Sequence, residues 1–372
     1  MNGRLKHRWS VGNNHLAGIT AGTWWRLLRE NGFAVDWPYW HRAAFITLTS
    51  LLNSFYRWRE DRRYGEQIEQ AEVTHPPLFI LGHWRTGTTL LHYLLAQHTE
   101  QFGFANTYQV VNPYTFLTTE EVNIRRFGFL VPRHRPMDRM EQSFTTPQED
   151  EVALLLLSLR SLYLGISFPR QAEWYSRYLT FRTATPTEVS EWKRALLWFA
   201  KKLSLKYDRS LLFKSPPHTA RVRLLLEIFP NAKFVHIHRN PYDVFQSSRH
   251  YFDTAPWYTY LQRPDIDQID EGIITRYQVL YDAFFEDRPL LNDGQFWQVR
   301  FEDLERDPVE EVRRLYGGLG LPGFETFRPR LEQYVGSLSS YRKNGYPDLV
   351  PAWRTRIAEA WEKTFAAWGY AT

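Results

Sequence analysis

Two hydrophobic rhythms alternate along this chain. The first is the short apolar run: Leu78–Leu81, Leu211–Phe213, Lys233–His238 and Phe296–Phe301, with Gly, Ser, Pro or Asn close to the ends. Runs of this length fit strands buried on both faces, as in a parallel sheet. Gln101–Asn106 is a further strand candidate. The second rhythm has helical spacing and predicts helices from about Thr89 to His98, over Glu188–Lys206, Arg221–Phe229, Val309–Leu319 and Arg354–Trp368. Thr146-Pro-Gln-Glu149 reads as a helix start, with Thr as N-cap, Pro at the first position and Glu as the capping-box partner. Val152, Leu155, Leu156 and Leu159 then form an apolar stripe, and Asn240-Pro241 opens another helix. Strands alternating with helices imply right-handed βαβ units, and so an α/β fold with a mostly parallel central sheet flanked by helices. Residues 1–75 read as a helical N-terminal extension and residues 76–372 as the α/β domain; no Gly/Ser linker or repeat suggests a flexible hinge.

The stretch from Pro76 to Leu91 carries the clearest chemistry. An apolar run ends at Gly82, a polar turn follows, and a helix begins near Thr89. Strand, glycine turn and helix N-terminus make an anion site, because free N–H groups and the helix dipole both favour phosphate. Gly82 and Gly87 have the separation of a Walker A loop, yet Thr88 stands where its lysine belongs and the cation, Arg85, comes earlier. This spacing predicts a phosphorylated nucleotide other than the usual triphosphate. Ligands of parallel sheets gather beyond the strands' C-terminal ends, which is where the glycine loop, Lys214 and Arg239 all fall.

Charge and composition narrow the classes. The net charge of +5 is spread without a Lys/Arg tract, which suits an anionic ligand and gives no support for a nucleic-acid partner. With no cysteine, disulfides, thiolate catalysis and thiolate-bound zinc are excluded, and no His or carboxylate set has ligand spacing, so no metal is expected. No secretory segment follows the basic first residues, and no run of about 18 apolar residues predicts a membrane-spanning helix. Ala43–Tyr56 comes nearest. It follows Trp24, Trp25, Trp37 and Trp40 and precedes a basic stretch from Arg57 to Arg63, so two readings stand: a helix docked on the protein's own core, or one lying in a membrane interface.

A second anion motif follows the Lys233–His238 strand. Arg239 stands at the strand end, and Ser247 lies eight residues on, within the next helix. A planar guanidinium fork beside a short hydroxyl donor matches phosphate. Two phosphate sites on one sheet describe a nucleotide phosphorylated at both ends of its ribose. On these motifs the chain resembles the sulfotransferases that use 3′-phosphoadenosine 5′-phosphosulfate (PAPS), in the bacterial group related to the cytosolic and Golgi enzymes. Arg85-Thr-Gly-Thr-Thr89 is similar to the family's 5′-phosphosulfate loop, Arg239 and Ser247 to its 3′-phosphate pair, Lys214-Ser-Pro216 to its intervening strand end, and Phe301–Pro308 to its strand-to-helix connection.

The resemblance implies a P-loop-like three-layer α/β fold and in-line transfer of a sulfuryl group from PAPS to a hydroxyl, in preference to an amine, without a metal. It makes Arg85, Thr86, Gly87, Thr88, Thr89, Arg239 and Ser247 donor-binding residues, with Arg85 and Lys214 stabilising charge on the leaving phosphate. The family's late Arg-Lys-Gly loop is here Arg342-Lys-Asn-Gly345, so Arg342 and Lys343 stand either as a lid over the nucleotide or as a solvated basic turn. For the base, His218 lies four residues after Lys214 where cytosolic members space the pair by two; Glu149, Asp150 and Glu151 form a carboxylate alternative. The acceptor expected is a small-molecule or lipid-like alcohol, and a cytoplasmic donor places the enzyme in the cytoplasm, with the inner membrane face as a candidate location. Two rivals remain: a P-loop kinase using ATP, which needs a lysine after Gly87, and a non-catalytic binding module, which leaves Lys214 without a role.

Overall fold

The computed structural model describes residues 5–12, 14–130, 135, 137, 138, 140–338 and 345–372; Arg342 and Lys343 lie outside the described residues. The chain divides into two compact units, one of Thr74–Phe104, Tyr207–His250 and Ile269–Thr372, the other of Met1–Val73, Ala105–Lys206 and Tyr251–Gln268.

The first unit holds the sheet. Strands β1 (Leu78–Leu81), β2 (Phe102–Phe104), β3 (Ser210–Lys214), β4 (Lys233–His238) and β5 (Phe296–Arg300) are all parallel, in the order β2-β3-β1-β4-β5. Alternate side chains serve opposite faces. Leu78, Ile80, Leu212, Val235 and Ile237 bury against Leu91, Leu94, Val312, Leu315 and Phe327 from helices on one side. On the other, Phe79 stacks on Phe213 and Phe234 with ring centroids 5.2 and 5.6 Å away. Covering both faces explains why the strands read as continuous apolar runs.

Most predicted elements form within a few residues of expectation, including α3 (Thr88–Leu95) after the glycine loop and the helices Pro186–Tyr207 and Pro241–Thr254. Two expectations are corrected. The helix expected from Thr146 begins instead at Glu151 with Asp150 as N-cap. The Thr146 hydroxyl donates to Ser143 O, Pro147 bridges to Asn106 and Gln148 N–H donates to Ala105 O, so the backbone there is engaged elsewhere. The single helix expected over Arg354–Trp368 is two, Pro351–Ala360 and Glu362–Trp368. Between them Trp361 turns inward, stacks on Tyr277 at 3.7 Å and donates its indole N–H to Ile274 O.

The second unit has helices and no strand among its described residues. Helices α1 (Ala21–Glu30) and α2 (Trp40–Gln70) form its N-terminal part. Trp24 faces inward and donates to Thr47, whereas Trp25, Trp37 and Trp40 are exposed. Glu60 of α2 forms a fully buried ion pair with Lys202.

Candidate active site

The glycine loop is shaped by conformations that side chains rarely permit. Gly82 and Gly87 both have positive φ, and a Cβ at Gly87 would come within 2.3 Å of Phe301 Cδ2. Gly87→Ala is therefore expected to destabilise the protein by about 2–4 kcal/mol through combined overpacking and backbone strain, read by urea unfolding; an unchanged midpoint would contradict this packing. The loop is braced from within. Gly82 N–H donates to Thr219 Oγ1 at 2.7 Å, and Thr86 Oγ1 donates to His83 O at 2.8 Å. Gly87 is the N-cap of α3, so the first N–H groups of that helix have no intrahelical acceptor and point out of its N-terminus. His83 is buried, which pushes its pKa down to about 3; the ring is neutral and Nδ1–H donates to Trp84 O at 2.8 Å. His236 is likewise held neutral by burial, stacked on Phe284.

Arg85 and the second motif meet directly. Arg85 takes the left-handed conformation, φ 73°, at a cost on the order of 1 kcal/mol. Its Nε donates to Ser247 Oγ at 2.9 Å, and Arg239 Nη1 donates to its carbonyl at 3.4 Å. Arg239 also lies over the Phe301 ring at 4.5 Å and pairs with Asp243 at 3.3 Å. Its Nε is buried, and among the described residues no hydrogen-bond acceptor reaches it. An orphaned guanidinium N–H is costly unless an anion takes it. Ser247 also accepts from Tyr346 OH at 3.2 Å.

Lys214 ends β3, opposite Ile80 of β1, and is buried. The short helical turn Pro216–Ala220 follows and carries both Thr219, which supports Gly82, and His218. His218 is fully buried with its ring edge-on to Phe79, centroids 5.5 Å apart. The glycine loop, Lys214 and Arg239 thus lie at the C-terminal ends of three adjacent strands, β1 flanked by β3 and β4. This is the ligand crevice of a parallel sheet.

In the helical unit, Glu149 is not a capping partner. Its carboxylate accepts from Tyr163 OH at 2.5 Å, and burial together with Glu149 holds that phenol well above its usual pKa. Asp150 and Glu151 are buried, Glu151 accepting from Ser161 Oγ at 2.6 Å. Sequence reasoning missed Tyr163, Thr219, Tyr346 and the ring of Phe301. In the sequence Tyr346 directly follows Arg342-Lys-Asn-Gly345 and Phe301 opens a recognised motif, so both had a local signal; Tyr163 and Thr219 had none.

A P-loop-like crevice with two anion motifs defines a class, and comparison with known proteins identifies it. Residues 76–326 match the model of a sulfotransferase family, and the chain belongs to that family. It is a sulfotransferase, moving a sulfuryl group from a sulfonate donor to an acceptor. Over 356 residues, 95% of this chain and 90% of the other, it is 38% identical to the omega-hydroxy-beta-dihydromenaquinone-9 sulfotransferase Stf3 of Mycobacterium bovis. Its fold is similar to that of sulfotransferase STF9 from Mycobacterium avium, with TM-score 0.69 and 17% identity over 94% of this chain and 97% of that one. Sulfotransferase STF1 from Mycobacterium tuberculosis gives TM-score 0.63 and 19% identity over 91% and 90%.

Proposed function

We propose that the donor is PAPS and the acceptor a hydroxyl on a lipid-like molecule. The observation that carries the donor reading is Arg239, close to Arg85 and Ser247, whose buried Nε has no acceptor among the described residues. That set suits a 3′-phosphate, while the glycine-loop and helix-start N–H groups of Gly87, Thr88 and Thr89 suit the 5′-phosphosulfate. Arg85 couples the two: its backbone lies in the glycine loop and its guanidinium reaches Ser247. PAPS supplies the activated sulfuryl group and leaves as adenosine 3′,5′-bisphosphate. Lys214, buried at the strand end, acts on charge at the leaving oxygen.

Among the base candidates we favour Glu149. It is partly exposed, whereas Asp150 and His218 are sealed from solvent, and a base must reach the acceptor hydroxyl. Tyr163 orients its carboxylate. The lipid-like acceptor is supported by the relative, whose name specifies an omega-hydroxy menaquinone derivative. Residues 1–75 would then contribute acceptor or membrane contact, in the cytoplasm at the inner membrane face. Among the described residues no helix is long and apolar enough to cross a membrane.

Calorimetric titration with adenosine 3′,5′-bisphosphate tests the donor. Micromolar binding that weakens about 100-fold or more in Arg239→Ala is expected, from loss of a charge-assisted contact of roughly 3 kcal/mol. Tighter binding of ATP–magnesium would overturn the reading in favour of a kinase.

A further inference from the structure

Helix α2 is amphipathic in the wrong sense. Its inward face carries Arg42, Ser50, Asn53 and Glu60, along with Ile46 and Ile68. These polar groups are satisfied within the helical unit. Arg42 is buried and donates to Tyr260 O, Ser10 O and His7 O at 2.7–2.9 Å. Asn53 Nδ2 donates to Ala17 O and Ile19 O at 2.7 and 3.0 Å. Glu60 accepts from both Thr118 N–H and Thr118 Oγ1 and pairs with Lys202. At 100° per residue the opposite side presents Trp40, Leu48, Leu51, Leu52, Phe55 and Trp58, all more than half exposed. The helix is thus fixed to the protein largely by polar bonds, and its apolar stripe is turned outward over roughly 27 Å.

An exposed apolar stripe of this length marks an interaction surface. The residues bordering it indicate what covers it. Trp25 and Trp37, like Trp40, are exposed, and Arg59, Arg62 and Arg63 are exposed at the far end of the stripe, where the Arg62 guanidinium lies over the Trp58 ring at 4.7 Å. Indole rings and arginines flanking a stripe of Leu and Phe match the layering of a bilayer surface: acyl chains, interfacial dipoles, anionic headgroups. We propose that the outward face of α2, with Trp25 and Trp37, docks the protein in the plane of an anionic lipid bilayer without crossing it. This deepens the membrane contact in the reading above but rests on the helix itself and needs neither donor nor acceptor.

The test is co-sedimentation of the full-length protein with vesicles of phosphatidylcholine containing 30% phosphatidylglycerol, compared with pure phosphatidylcholine. The wild type should bind the anionic vesicles, and Leu51→Glu/Phe55→Glu should reduce the partition coefficient at least 10-fold. Arg59→Gln/Arg62→Gln/Arg63→Gln should remove the preference for anionic over neutral vesicles. The substituted side chains are exposed, so thermal melting and adenosine 3′,5′-bisphosphate binding should stay unchanged; this separates failure of the dock from failure of the nucleotide site. No vesicle binding by the wild type, or binding indifferent to Leu51→Glu/Phe55→Glu, overturns the proposal. So does sedimentation showing a wild-type dimer that the same pair dissociates, since a second copy would then cover the stripe.

Discussion

Replacing Lys214 with methionine is expected to lower kcat on the order of 10³-fold while adenosine 3′,5′-bisphosphate binding changes less than 10-fold. Sulfuryl transfer passes through a loose transition state in which negative charge grows on the leaving phosphate oxygen. A group that acts on that charge contributes more to the transition state than to the bound donor. Lys214 is suited to this, because it is buried at the end of β3 beside the central strand, where low polarizability strengthens its field and its cost of reorganisation is small. A 10³-fold loss corresponds to about 4 kcal/mol. Methionine fills nearly the same volume, and urea unfolding of the same variant reads any structural cost separately from the rate. Single-turnover rates and calorimetry on the same preparation separate the outcomes. If affinity for the bisphosphate falls as far as the rate, Lys214 binds the ground state and the leaving-group role is wrong.

Much of this site is legible in the sequence because its parts are local. Strand, glycine turn and helix are consecutive, and Arg239 and Ser247 sit on one strand–helix junction, so spacing alone predicts an anion at each. Their union is not local. Arg85 reaches Ser247 across 162 positions, and only the β4–β1 pairing brings them together. Glu149 illustrates the opposite failure: its sequence context matches a capping box well, but Thr146 is taken by Ser143 and the chain bridges to Asn106. Tertiary pairing overrode a sound local signal. In α2 the apolar positions were read correctly and the side they face was left open, because a hydrophobic stripe does not say whether protein or another phase will cover it. The buried polar residues Arg42 and Glu60 fix which side faces inward and leave the apolar side exposed.

Glu60→Ala is expected to destabilise the protein by about 3–5 kcal/mol at pH 7, the usual cost of stranding one member of a buried ion pair. Glu60 and Lys202 are both fully buried, and Lys202 also donates to Pro113 O and lies over the Phe116 and Trp198 rings. Thr118 would lose its acceptor as well. Burial pushes Lys202 down to about 8 from 10.5, with Glu60 opposing the shift. The folded pKa lies below the unfolded one, so between about pH 8 and 10.5 the unfolded chain binds more protons and this lysine's contribution to stability rises with pH. Without Glu60 the folded pKa drops further, so the variant's deficit should narrow as pH rises toward 8 and stay constant above it. Lys202→Met should flatten that dependence, and Glu60→Leu/Lys202→Met should regain most of the loss, since a packed apolar pair needs no counter-charge. Urea unfolding at pH 7 and 9.5 reads all four proteins; a deficit below about 1 kcal/mol at pH 7 would mean the pair is not desolvated as its burial indicates. Glu60 also tethers the inward side of α2 through Thr118 and Lys202, so vesicle binding should weaken in Glu60→Ala even at temperatures where the protein stays folded. A helix that turns its apolar side outward needs its polar side held firmly.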